Sequence, residues 1–278
     1  MSPTSWAVVL TGRDEQPAVL RPGVLAFPLD ARVAHRPELV GPEVTVTANL
    51  LNLLPINPSV VIVVNPGVAV APMVDEVIRV AYGLFDSGGG SRSALTVAVA
   101  SPRPVRPGTA GSTCLFNTAF EALPEALIES VAAARRGGLL TRPGGCVLIL
   151  QRFAAATASA VVHATPNPRH GVRISAQWGI IEVNDADVAA DEFTVHGGAL
   201  LRTLARKPTA SVTASGGTRT VHLPVQRQYR YSLSRAAVLR LADTAKDAAA
   251  SAGIPLSLDV ALVAGEPVVI RCRPCTSG

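Results

Sequence analysis

Charged residues, aromatic rings and lysines are all scarce in this sequence. Only 16% of its 278 residues are charged and 4% aromatic, while 48% are hydrophobic. A chain this apolar can bury enough surface to fold, which excludes intrinsic disorder. The net charge of +5 rests on arginine, because Lys207 and Lys246 are the only lysines, and the basic residues are spread along the chain. A basic stripe with interleaved rings, as nucleic-acid binding needs, is therefore not expected. Long apolar runs are missing too. Ser59 to Val64 and Val147 to Leu150 are far short of the roughly 20 residues of a membrane span. Met1 to Arg13 shows no basic stretch leading into an apolar one, so neither a secretory signal nor membrane insertion is expected, and a cytoplasmic location follows as an expectation. In that reducing setting Cys114, Cys146, Cys272 and Cys275 are expected as free thiols.

What is present alternates between strand and helix signals. Val44 to Thr47 reads as short strand, and Val60 to Asn65 as a β-branched strand closed by Asn65-Pro66-Gly67. From Pro72 the apolar positions Val74, Ile78, Ala81 and Leu84 fall at helical spacing. Leu95 to Ala100 is a further strand. A helix opens near Pro124 and ends at Arg135-Arg136-Gly137, and Cys146 to Leu150 returns as a buried strand. Strands follow around Ala160 to His163, Val172 to Ser175, Glu192 to His196 and Thr220 to Leu223. Ser234 caps a helix that stops at Gly253. Leu256 to Val263 and Pro267 to Cys272 form a final hairpin about Ala264-Gly265-Glu266. The fold class is α/β in the broad sense (α+β), without an internal repeat.

Several short motifs carry little. Gly88-Gly89-Gly90 is followed by no Gly-Lys-Ser/Thr, so it reads as a linker rather than a phosphate loop. Cys272-Arg273-Pro274-Cys275 has redox or zinc spacing, but neither a following helix nor two further ligands. The five histidines lack ligand spacing, and no Gly-x-Ser-x-Gly elbow occurs.

Six ordered segments carry more. Leu95 to Ser101 (LTVAVAS) is similar to a V-A-V-R-S-S strand, and Ala110-Gly111 with Leu115-Phe116-Asn117 to an A-G-x-x-x-T-F-L-N turn. Val147 to Phe153 (VLILQRF), then Ala158 to Val161, is similar to V-x-V-Q-x-M followed by S-G-V. Trp178 to Glu182, then Asp191-Glu192-Phe193, is close to G-L-G-E and P-D-E-Y. Leu258-Asp259-Val260 and Val269 to Pro274 are close to I-E-W and I-L-Q-x-R-P. Together, over residues 72 to 276, they resemble the nucleotide-binding part of the phosphoenolpyruvate synthase and pyruvate phosphate dikinase family, which includes rifampin phosphotransferases.

The resemblance implies an ATP-grasp-like fold, with two lobes at 1–140 and 141–278 enclosing a cleft for ATP and Mg²⁺. It assigns Gln151 and Phe153 to the adenine side, Gly111 and Glu182 to nucleotide binding, Asp259 to the metal, and Arg273 and Arg271 to the phosphates. A hard cation takes carboxylate oxygen, and a guanidinium fork suits phosphate. The chain departs from the pattern as well. No lysine precedes Lys207, the family's strand-end arginine is Ala100, and Arg103 or Arg106 would have to serve in its place; Arg271 stands where the family has glutamine, Asp259 where it has glutamate, and Ile181 where G-L-G-E has its second glycine. The sequence ends where the family's nucleotide-binding part ends, so a separate phosphohistidine-bearing chain or a small substrate would accept the phosphoryl group. Two readings stay open: a phosphotransferase component working with such a partner, and a nucleotide-binding or scaffolding pseudoenzyme.

Overall fold

The computed structural model describes residues 18–21, 24–29, 33–35, 37–57, 59–65, 74–75, 77–78, 95–100, 114–138, 145–180 and 189–275. The chain forms two compact units. Met1–Ala48, Pro58–Phe153 and Ser215–Gly217 make the first, and Asn49–Asn57, Ala154–Ala214 and Thr218–Gly278 the second.

The first unit is built on β1 (Ala18–Arg21), β2 (Val24–Pro28), β3 (Ser59–Val64), β4 (Leu95–Ala100), β5 (Cys114–Thr118) and β6 (Cys146–Arg152), with helices α1 (Pro37–Asn49) and α2 (Leu123–Arg136). Its sheet runs β1-β2-β3-β6-β4-β5 with antiparallel pairings. β3 is buried at every position and β6 at all but its last. An uninterrupted apolar run is what a strand covered on both faces requires. Leu123, Leu127, Val131 and Ala134 of α2 join Val60, Ile62, Val74, Val77, Val97, Leu148 and Leu150 in one core, with Ile78 and Leu115 packed against it. β6 lies between β3 and β4, so the first unit extends to Phe153.

α1 departs from the expectation of strand at Val44 to Thr47. Val40, Val44, Thr47 and Ala48 are buried at helical spacing, and the Thr45 and Thr47 hydroxyls donate to the carbonyls of Gly41 and Glu43 at 2.8 Å. Burial of one face thus outweighs the β-branched preference for strand, which is worth only tenths of a kcal/mol per residue in a helix. Gly41 kinks the helix at φ 80°.

The second unit carries β7 (Ala158–Ala164), β8 (Val172–Trp178), β9 (Asp191–His196), β10 (Ala199–Thr203), β11 (Thr209–Ala214), β12 (Gly217–His222), β13 (Leu256–Val263) and β14 (Glu266–Pro274). Its helices are α3 (Val225–Gln228) and α4 (Arg235–Ala252). The main sheet is ordered β10-β9-β8-β7-β13-β14, again antiparallel, and β11 with β12 makes a two-stranded sheet. α4 is capped by the Ser234 hydroxyl, which accepts from Ala237 N, and ends at the left-handed Gly253. Its Val238, Leu241, Ala242, Ala245 and Ala249 are buried, and the helix packs across β7, β8, β9 and β13. The small alanines let it lie close to the sheet over Val162, Ile174, Phe193 and Leu258. Because strand side chains alternate, the opposite face of this sheet is left to the residues in between.

Candidate functional site

In the first unit a buried polar row crosses three strands. Gln151 on β6 is in register with Ser59 on β3 and Thr96 on β4, and all three are buried. The Gln151 amide donates to Ser59 Oγ at 2.8 Å. Such a pairing removes the cost of burying an amide and fixes its orientation. Phe153, half-buried, follows immediately at the end of the strand.

The second unit holds the denser polar set, on the sheet face away from α4. Cross-strand register places Arg273, Ser257, His163, Arg173 and Thr194 in one row over five strands. The next row runs Arg271, Asp259, Val161, Ser175 and Glu192. Residues directly opposite in antiparallel strands lie on the same face, a few ångströms apart. Arg273 Nη2 donates to Asp259 Oδ1 at 2.6 Å, Ser175 Oγ donates to Glu192 at 2.9 Å, and Cys275 Sγ lies 3.8 Å from His163 Nδ1.

The potential on this face is visible in its titrating groups. Burial, then the Arg173 and Arg273 guanidinium groups, hold His163 below the usual imidazole value, against the opposing pull of Asp259 and Glu192. Burial pushes the Cys275 thiol up. In the first unit burial raises Cys146 to about 12, so it is an inert thiol. All four cysteines are free, as expected.

Of the residues singled out from sequence, Asp259, Arg271 and Arg273 come together on β13 and β14, while Gln151 and Phe153 belong to the first unit. Arg103, Arg106, Gly111 and Glu182 lie outside the described residues. Gly179, within the stretch likened to G-L-G-E, has an architectural role: at φ +78° it bridges to Ser211, whose carbonyl would sit 2.0 Å from any added Cβ.

The donor set fits the phosphates of a nucleotide better than a metal held by protein alone. Among the described residues no group of three or more His, Cys, Asp or Glu could hold a metal ion. One carboxylate, Asp259, suits a Mg²⁺ that brings its remaining ligands as phosphate and water. Arg273 is committed to Asp259 through one nitrogen, yet its Nε is buried without a hydrogen-bond partner among the described residues. An orphaned guanidinium N–H of that kind is satisfied by an anionic oxygen.

No family model matches the chain. A rifampicin phosphotransferase of Streptomyces sviceus is 28% identical over 156 residues, covering 54% of this chain and 18% of that protein. In fold the chain is similar to the D-alanine-D-alanine ligase of Coxiella burnetii (9% identity, TM-score 0.36, 83% of this chain and 46% of that one). It is also similar to the dinucleotide-forming acetyl-coenzyme A synthetase 1 of Ca. Korarchaeum cryptofilum (12% identity, TM-score 0.42, 84% and 92%) and to an Aspergillus clavatus N5-carboxyaminoimidazole synthase solved with ADP (12%, 0.40, 87% and 45%). The chain thus spans less than a fifth of the curated relative and about half of the first of these solved structures.

His163, Ser257 and Arg173 escaped the sequence reading because each is ordinary alone. Only their shared register, across strands up to a hundred residues apart, makes them neighbours. The signal that could have found them is period-two alternation: His163 falls between the buried Val162 and Ala164.

Proposed function

We propose that this chain is a nucleotide-binding, ATP-grasp-type domain of the phosphoenolpyruvate synthase and pyruvate phosphate dikinase kind, serving a phosphotransfer system. The observation that carries the reading is the Asp259–Arg273 pair, with Arg271 beside it and the buried Nε of Arg273 unpartnered among the described residues. In this reading Arg273 turns its fork to the phosphates, Asp259 accepts their Mg²⁺, and Arg271 adds positive charge on the same strand. Bound ATP supplies the phosphoryl group. The residues' own part is to position it and offset its charge, which is most of what phosphoryl transfer asks of a protein. The acceptor would be a small substrate or a histidine on a separate chain.

A second reading, binding without transfer, is favoured by the placement of the lysines. Lys207 is buried in an ion pair with Asp191, and Lys246 lies on α4, away from the polar face. Neither can replace the family's first-lobe lysine. Losing such donors costs roughly 3 to 4 kcal/mol of transition-state stabilisation each, so the isolated chain should cleave ATP slowly if at all. Release of ADP, AMP and phosphate from Mg-ATP, with and without pyruvate, tests this. Turnover in the usual kinase range of about 1 to 100 per second would overturn the inactive reading. Failure to bind Mg-ATP at all would overturn both.

A further inference from the structure

We propose that the arginine–aromatic face of the second unit is a docking surface for an acidic, carboxylate-rich segment of a partner protein. Three guanidinium groups lie over three rings: Arg227 over Trp178 at 4.2 Å, Arg202 over Tyr231 at 5.0 Å and Arg206 over Tyr229 at 5.9 Å. The stacks are contiguous. Arg206 Nε donates to Gln228 Oε1 at 3.3 Å, Trp178 Nε1 donates to the Arg227 carbonyl at 3.2 Å, and Tyr231 packs on Phe193 at 5.5 Å between centroids.

The surface is cationic by sequence as well as by folding. From Thr194 to Ala242 the chain has seven arginines and one lysine but no Asp or Glu. That lysine, Lys207, is spent on Asp191 inside the fold. Arg202, Arg206, Arg227, Arg230 and Arg235 are exposed, and among the described residues no ion pair involves the three stacked arginines. Arg240 pairs with Glu266, and among the described residues the charge of the three stacked arginines goes unanswered.

The stacking decides what can answer it. A guanidinium laid flat on a ring uses its face and leaves its in-plane N–H edge outward, the geometry that takes a carboxylate in paired hydrogen bonds. The same stacking covers one face of each ring, which disfavours the open platforms that single-stranded bases need. Around the arginines Leu201, Val225 and Tyr229 stand exposed at 70%, 65% and 54%. Arg and Tyr among apolar residues is the composition that dominates binding energy at protein interfaces. The backbone beneath is held by Lys207 N to the Gln228 carbonyl and by the buried Gln228 amide to the Leu223 carbonyl, so little ordering cost remains at docking.

The test is fluorescence anisotropy of a labelled poly-glutamate peptide on the full chain, beside a single-stranded oligonucleotide of matched charge. The peptide should bind, and more weakly as salt rises. The combined Arg202→Gln, Arg206→Gln and Arg227→Gln variant should lose about tenfold or more in affinity, while the matching set of lysine substitutions recovers only part, because the charge returns without the fork. Circular dichroism and the single Arg202→Gln change guard against misfolding. Absence of peptide binding by the wild type, unchanged affinity in the glutamine variant, or tighter binding of the oligonucleotide would each overturn the proposal. So would concentration-dependent self-association, abolished by the same substitutions, without peptide binding.

Discussion

Lys207 and Asp191 meet as an ion pair in which both side chains are buried. Asp191 is the hub of a small network: Oδ1 accepts from the lysine and from Ala205 N at 3.1 Å, and Oδ2 accepts from Ser232 N at 2.7 Å and Ser232 Oγ at 2.8 Å. It ties the start of β9 to the segments on either side of α3. Removing one partner leaves an uncompensated buried charge, a loss of about 3 to 5 kcal/mol. Lys207→Met or Asp191→Asn should lower the urea midpoint accordingly, and the double change Lys207→Met with Asp191→Leu should recover much of it. Single variants as stable as the wild type would show that the pair is not needed.

Gly179 is replaceable only at the expense of its bridge. Its positive φ and the 2.0 Å approach of the Ser211 carbonyl to an added Cβ exclude any side chain without backbone movement. Gly179→Ala should therefore destabilise by about 2 kcal/mol or more, while Gly217→Ala, with open space around its Cβ position, should cost much less. Comparable thermal midpoints for the two variants would contradict this.

Ser130 points a fully buried hydroxyl into the first unit with no hydrogen-bond partner among the described residues. In mid-helix, alanine both removes that orphan and favours the helix. Ser130→Ala should raise stability by about 1 kcal/mol, read from chemical denaturation.

How much of this was legible in advance follows a physical divide. Uninterrupted or capped patterns were: β3, β6, α2, α4 and the terminal hairpin appear where β-branched runs, Pro124, Ser234 and Gly265 place them. α1 was not, because its Val-Thr-Val-Thr sequence states a strand preference that burial overrides. The short strands β1, β2, β10 and β11 were missed for want of long runs, and Leu115 to Asn117, read as a turn, lies in β5. At the site, Asp259 and Arg273 were reached by resemblance. The rows around His163 and the arginine–aromatic stacks depend on residues brought together across long loops, which no local pattern announces.

His163 provides a pH signature. Its folded pKa is lowered, by burial first and then by Arg173 and Arg273, so protonation is easier in the unfolded chain. The stability it contributes is present above the unfolded value of 6.5 and is lost as pH falls through the lower folded value. Urea midpoints should decline from neutral pH towards about pH 5, and His163→Gln should flatten part of that decline. An equally steep decline in the variant would remove His163 from the account.

The central claim is that the Asp259–Arg273 face binds the phosphates of a nucleotide, and calorimetric titration of Mg-ATP into the wild type and into Arg273→Ala tests it most directly. The account predicts saturable binding by the wild type, weakened in the variant by about 1.5 to 3 kcal/mol, the range for hydrogen bonds to charged groups, with the fold intact. Equal affinity in the two proteins, or no binding by the wild type, would contradict it.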